Sequence, residues 1–431
     1  FDGDECYRIN AFDWDKEFPE IMKAGGFDVV IGNPPYGYMI PIPEQEYFST
    51  HYSNQDYQKD FYLLFLERYE YLLKSNRLLG VIVSNTWLQS VTFQNIRKYL
   101  STHYCWLRIL HLPEKVFKAV IDTHVLIFQK NDVENKGNRL LNVDIRRERE
   151  QEITFWHSIP WKDIPKNGDP INIVAPLENQ QLFRKIQKNT TLLLKLCNVF
   201  NGIKPFERGK GNPPQTDQIM REKPYVREGA APDKTWSPLL RGSLISRYEN
   251  RWNNDYWVFY GPWLAAPREQ SIFEAPLKIM VRQTGDSIIA TMIEKGFIAR
   301  NNLHIVLPRD LKYDLRYTLG IMNSQLINFV YTFMNPEKGE ALAEVKKHHV
   351  EQLPIRTINF SDSDDRARHD RMVAFVDQML ELHKQLASAR TDHEKTAIQR
   401  QIDATYHQID RLVYELYGLT DEEIKIVEES L

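Results

Sequence analysis

Cysteine is scarce in this 431-residue sequence, and the three present, Cys6, Cys105 and Cys197, lie far apart and outside any CxxC pattern. That spacing argues against a disulfide framework or a zinc site and fits a reducing cytosol. Long apolar runs are also missing: none approaches the roughly 20 residues that a membrane helix needs. The first residues, Phe1-Asp2-Gly3-Asp4-Glu5, are acidic and unlike a signal peptide, and they lack an initiating Met. The chain is therefore expected to be part of something longer. Internal repeats and low-complexity tracts are absent.

What is present reads as a soluble chain of two or three domains, with 42 % hydrophobic and 26 % charged residues over a length too great for one core. A net charge of −3 conceals an asymmetry. Residues 201–310 hold 16 Lys and Arg against 12 Asp and Glu, whereas residues 361–431 hold 9 against 16. If one region meets phosphate, it is the middle one.

Apolar runs at Phe27–Gly32, Leu78–Val83, Trp106–Leu112 and Thr123–Phe128 read as strands. Residues 56–74 place Phe61, Leu64, Phe65, Tyr69, Leu72 and Leu73 at helical spacing. Strands alternating with helices predict an α/β sheet of mostly parallel strands, with ligands beyond their carboxyl ends. Residues 131–150 are polar and read as a loop leaving this first domain. Across 195–357, Pro, Gly, Trp and Tyr become frequent and long helical patterns disappear, which predicts a mixed α+β or β-rich domain. Further on, Met372, Val376 and Met379, then Ile398, Ile402, Ile409, Val413 and Leu416, predict two antiparallel helices broken near Ser388 to Asp392. The expected domains are 1–132, a connecting segment 133–194, 195–357, and a helical hairpin 358–431. The hairpin reads as a brace for the domain before it, with dimerisation as the alternative. His348-His349 reads as a basic turn rather than a metal pair, and no metal site is expected.

One segment carries chemistry. Asn33-Pro34-Pro35-Tyr36 follows the first strand directly. Two prolines stiffen the loop and leave its carbonyls as free acceptors. Asn33 adds a side-chain carbonyl. Two rigid acceptors match the two hydrogens of an exocyclic amine, and Tyr36 offers a flat face for a planar base. The alternative is a plain Pro-Pro turn after a buried strand.

Phe27 to Gly37 resembles the catalytic loop of adenine-N6 DNA methyltransferases, and Phe12-Asp13-Trp14-Asp15-Lys16-Glu17-Phe18-Pro19-Glu20 resembles large bacterial members of that family. Many of these belong to restriction–modification systems, including single-chain type IIG enzymes. Enzymes that methylate RNA bases or a glutamine amide carry the same tetrapeptide. Leu112-Pro113-Glu114-Lys115-Val116-Phe117, followed by a strand, resembles the segment whose Phe stacks on the flipped adenine. The resemblance implies a partial Rossmann-like methyltransferase sheet. It implies Asn33, Pro34, Pro35 and Tyr36 as catalytic, with Tyr36 and Phe117 stacking on the target base. S-adenosylmethionine is the implied donor, with Phe12 or Asp13 near its adenine. The Gly-containing donor loop of the family precedes the segment that matches here, so weak donor binding by this chain is expected.

Asn201-Gly202-Ile203-Lys204-Pro205, Pro238 to Ile245, Lys278 to Arg282, Gly320 to Ser324 and Glu351 to Ile355 together resemble the target-recognition domain attached to such enzymes. Within it, Lys204, Arg208 and Lys210 are candidate contacts to double-stranded DNA. Arg241, Arg247, Arg251 and Arg282 complete the set. The implied whole is a cytoplasmic, bacterial or archaeal DNA methyltransferase whose upstream part holds the donor and any nuclease. The alternatives are a recognition fragment without activity of its own and an RNA methyltransferase.

Overall fold

The computed structural model describes residues 12–35, 42–53, 61–89, 93–112, 123–131, 139–146, 152–173, 175–310, 313–335 and 343–430. The chain forms two compact units, Phe1–Gln180 and Gln181–Leu431. Among the described residues, no helix is long and apolar enough to cross a membrane.

The first unit is built on six strands: β1 (Phe27–Gly32), β2 (Leu73–Ser84), β3 (Tyr104–Leu112), β4 (Thr123–Lys130), β5 (Leu140–Arg146) and β6 (Ile153–Pro160). Their order across the sheet is β1-β2-β4-β3-β5-β6. The expectation of mostly parallel strands needs correction. β1 with β2 and β3 with β5 are parallel, whereas β2 with β4, β3 with β4 and β5 with β6 are antiparallel. The reason is connection length. A parallel return needs a crossover of roughly a dozen residues or more, and the segments after β3 and after β5 are shorter. Each of those pairs therefore folds back as an antiparallel neighbour.

The expected loop 131–150 and connecting segment 133–194 also need correction, because β5 and β6 extend the sheet well past residue 132. Leu141, Val143 and Ile145 alternate into the core. Asp144 disguised the strand. Its side chain is 5 % exposed and pairs with Arg108 at 3.2 Å, so an acid that reads as surface sits within the sheet.

One face of this sheet is dry. Leu79, Val81, Val83, Leu126 and Phe128 pack there with Trp87 and Trp106. α1 (Trp14–Glu17) precedes β1, α2 (Phe61–Leu72) leads into β2, and α3 (Gln94–His103) leads into β3. In α2, Tyr62, Leu63 and Leu66 face the core, and Phe65 is more exposed than its place in the apolar pattern suggests. The end of α2 is tied to β4 by Lys130, whose Nζ donates to the carbonyls of Glu70 and Leu73 and pairs with the Glu70 carboxylate at 3.0 Å. On the other face Val29, Ile31, Leu78 and Ile127 remain exposed, Ile31 by 83 %.

In the second unit an antiparallel sheet runs in the order Ala290–Glu294, Leu277–Arg282, Leu303–Pro308, Cys197–Asn201. A smaller sheet orders Ile298–Ala299, Ser237–Leu240, Tyr256–Val258 and Val226–Glu228. Helices α4 (Leu315–Asn323) and α5 (Gln325–Met334) supply helical content of the expected mixed α+β domain, in a region whose sequence shows no long helical pattern. Every residue of α4 except Arg316 is buried. A helix covered on almost all sides has no polar stripe, so its period is invisible in the sequence.

The paired C-terminal helices are as expected. α6 (Ser363–Ser388) and α7 (Asp392–Tyr417) break at the anticipated place, and α8 (Asp421–Glu429) follows them. Asp362 caps α6, and reciprocal Thr-Glu capping boxes start α7 and α8. Met372, Val376 and Met379 meet Ile402, Ile409 and Val413 in one core that also takes in α4 and α5. Burying each such side chain fully stabilises the fold by about 1.5–3 kcal/mol. His349 is not in a basic turn: it lies within a short helix, Lys347–Glu351, and burial pushes its pKa down to about 3. The buried imidazole is neutral because burial, and then the neighbouring His348, Lys346 and His304, all disfavour its charged form.

Two predictions follow from this packing. A methyl group on Gly32 would lie 2.3 Å from Tyr69 Oη and 2.9 Å from its Cζ. Gly32→Ala is expected to lower the stability of the first unit by about 1–3 kcal/mol in urea unfolding, and Tyr69→Phe in the same chain should recover part of that loss.

Asp410 of α7 accepts the Gln325 N–H at 2.8 Å, and burial raises its pKa to about 6. An unfolded Asp titrates at about 3.9. Between these values the folded protein keeps a proton that the unfolded chain has lost, so stability falls as pH rises from about 4 to about 6. Asp410→Asn keeps the acceptor and removes the charge. It should stabilise the second unit by about 1–3 kcal/mol near pH 8 and by little near pH 4, read from thermal unfolding at both values.

Candidate functional site

Strand register decides what lies beside the Asn-Pro-Pro segment. Gly32, the last residue of β1, is opposite Val81 of β2. β2 ends at Ser84, opposite Thr123 at the start of β4, and Thr123 is opposite Leu112 at the end of β3. Asn33 and the connection 113–122 therefore leave the same rim of the sheet. With strands about 4.8 Å apart, two spacings separate β1 from β4 and three separate it from β3, and the connection starts three residues further along the strands than Gly32.

Asn33 is exposed, Pro34 is buried and Pro35 is exposed. Pro34 thus anchors the turn while the Asn33 amide faces solvent, and Gly32 lets the strand end press against Tyr69 without a side chain between them. The arrangement presents the Asn33 side chain on a stiff support. Tyr36 and Phe117 lie outside the described residues.

The rim also holds two histidines that sequence reasoning passed over. His111 Nδ1 and His124 Nε2 are 3.2 Å apart across β3 and β4, at the root of the 113–122 connection. Burial and then the neighbouring His111 hold the pKa of His124 well below the ordinary histidine value, so it is neutral. Their only signal in the sequence is one histidine on each side of that connection.

Phe12 and Asp13 fare differently from each other. Phe12 is 57 % exposed, with its ring edge-on to Trp14 at 4.9 Å. One face of that ring can take a planar group. The Asp13 carboxylate accepts the N–H groups of Asp15 and Lys16 at the start of α1 and pairs with Lys16 at 3.2 Å. The hydrogen bond to Lys16 is the largest cause that lowers its pKa. Asp13 is thereby committed to capping.

In the second unit most of the seven basic candidates already have partners. Lys204 pairs with Glu207 at 2.9 Å and Arg208 with Asp217 at 3.1 Å. Arg241 pairs with Glu228 at 3.0 Å and lies over the ring of Tyr256. Arg251 pairs with Glu249 at 2.6 Å. Arg247 is half-buried and donates to the Ile288 carbonyl, and Arg282 donates to Thr284 Oγ1. Lys210 is exposed and forms no ion pair with a described residue. The seven are distributed over several loops and strands of this unit.

Both regions match families of known proteins. Residues 2–117 match the family model of the Eco57I restriction-modification methylase. Residues 237–355 match that of the TaqI-like C-terminal specificity domain. A putative type II restriction enzyme and methyltransferase of Methanocaldococcus jannaschii is 25 % identical over 76 % of this chain and 27 % of its own length. The type II restriction enzyme and methyltransferase RM.Eco57I of Escherichia coli is 20 % identical over 99 % of this chain and 49 % of its own length. The chain thus spans about half or less of the curated relatives it matches. In fold it resembles the Type IIL restriction-modification enzyme MmeI, solved in complex with DNA. The TM-score is 0.57, with 12 % identity over 97 % of this chain and 58 % of that one. In one polypeptide, therefore, the chain joins a segment that matches the Eco57I restriction-modification methylase to one that matches the TaqI-like C-terminal specificity domain.

Proposed function

We propose that this chain supplies the target-amine pocket and the duplex-reading surface of a restriction–modification DNA methyltransferase acting on N6 of adenine. The observation that carries the reading is the stiff Asn33-Pro34-Pro35 turn at the rim of the methylase-segment sheet, with the 113–122 connection leaving the same rim.

The residues divide the work as follows. The target adenine leaves the duplex at a cost of a few kcal/mol, and Tyr36 and Phe117 restore the lost stacking. Asn33 Oδ1 and the Pro34 carbonyl accept the two hydrogens of its amine. Held so, the nitrogen lone pair is less delocalised into the ring and is aimed for in-line attack. The rate gain comes from positioning and fixed dipoles. Such chemistry needs neither a metal nor a strong base. S-adenosylmethionine, when bound, supplies the electrophilic methyl group. Among the residues of this chain, Phe12 fits a stacking role towards it, and Asp13 holds that segment by capping α1. The cations of the second unit neutralise backbone phosphates, and base edges are read in the major groove.

Asn33→Ala in the intact enzyme is expected to lower methylation by about a hundredfold or more while duplex affinity stays unchanged. Methyl transfer to duplex DNA and a gel-shift on the same preparation check this, and near-normal transfer rules the assignment out. The nucleic-acid part is tested separately by titrating duplex DNA at rising salt. Affinity should fall with a log–log slope of several units, whereas a flat response removes the phosphate-binding surface from the reading.

A further inference from the structure

Of the basic side chains in the second unit, those on the loop between Ile203 and Thr216 have a setting of their own. The loop is closed at its base by Gln215, which is 3 % exposed. Its Nε2 donates to the carbonyls of Pro205 at 2.8 Å and Trp263 at 2.9 Å, and its Oε1 accepts the Glu207 N–H at 2.9 Å. Main-chain bonds add to this: Gly209 N–H donates to the Gln215 carbonyl, Gln215 N–H to that of Lys210, and Asn212 N–H to that of Pro262. Gly211, at φ +89°, sits where a methyl group would lie 2.5 Å from the Trp263 carbonyl oxygen, so the far side of the loop is seated against the segment Trp263-Leu264.

The tip is in water. Arg208, Gly209, Lys210, Asn212 and the two prolines after it are exposed. Nothing lies within 4 Å of the position a methyl group on Gly209 would take. The two acids near the tip are each matched, Glu207 to Lys204 and Asp217 to Arg208. Of the three cations on this loop, Lys210 forms no ion pair with a described residue, although its charge is felt by Glu207.

We propose that the loop 206–214 is a preformed clamp for a duplex phosphate, with Lys210 as the contacting charge and Gln215 as the positioning residue. The proposal rests on the reading of this unit as the DNA-binding part. A lysine ammonium is a point charge without a directional fork, which suits a phosphate better than a base edge. The loop backbone is ordered before the duplex arrives, so binding costs less conformational entropy than it would for a mobile loop. The clamp holds every sequence equally, and discrimination is left to other side chains.

The test is fluorescence anisotropy of the full chain with two labelled duplexes of unrelated mixed sequence, between roughly 50 and 200 mM salt. Lys210→Ala should weaken both duplexes by the same factor, about fivefold near physiological salt, and reduce the salt slope by about one. Lys210→Arg should keep the slope. Gln215→Ala should show the same slope loss, and adding it to Lys210→Ala should change the slope no further, an outcome that a merely structural role for Gln215 does not give. Unchanged affinity and slope for Lys210→Ala overturn the clamp, as does a loss confined to one of the two duplexes. A wild-type chain that binds neither duplex overturns the DNA reading of this unit and the clamp with it.

Discussion

Tyr69 presses so closely on the end of β1 that residue 32 has room for a hydrogen and nothing larger. The contact lies at the last residue of the strand, directly before the Asn-Pro-Pro turn. Tyr69 belongs to α2, on the same face as Tyr62 and Leu66, and packs against the core that they help to build. α2 is held in turn to β4 through Lys130 and the Glu70 and Leu73 carbonyls. The exposed amide of Asn33 is thus referenced, through one tyrosine and one lysine, to the strand that begins beside the 113–122 connection. A positioning reaction needs its acceptors on a frame of that kind, because displacement by an ångström removes much of the gain.

The sequence was most readable where structure is local. The four strands from Phe27 to Lys130 and the break between α6 and α7 follow from period and turn residues near at hand. The Asn-Pro-Pro turn is legible for the same reason, since its stiffness lies in its own prolines. What escaped depended on partners distant in the chain. β5 was hidden because Asp144 is neutralised by Arg108, 36 positions earlier and one strand away. α4 was hidden because the unit surrounds it. The strand directions were misjudged because connection length, rather than the alternation of strands and helices, decides them after β3.

The basic surface shows the same limit from the charge side. Counting Lys and Arg along 201–310 located a positive region but could not say which charges were already matched. Arg241 finds Glu228 across the smaller sheet, and Arg208 finds Asp217 on the helix Asp217–Glu222. Such exposed pairs add little stability, typically below about 1 kcal/mol each. They nevertheless set the field that an incoming polyanion meets.

The wetted face of the first sheet has a consequence for how this protein behaves in solution. Val29 and Ile31 lie on the outermost strand of the sheet order, beside Leu78 and Ile127. Apolar area left in water forgoes about 25 cal/mol for every square ångström, and an outer strand also offers main-chain groups to any chain that comes alongside. Warming strengthens such attraction over the range in which water structure dominates it. Among the described residues, this patch is therefore where warming most favours association through the first sheet.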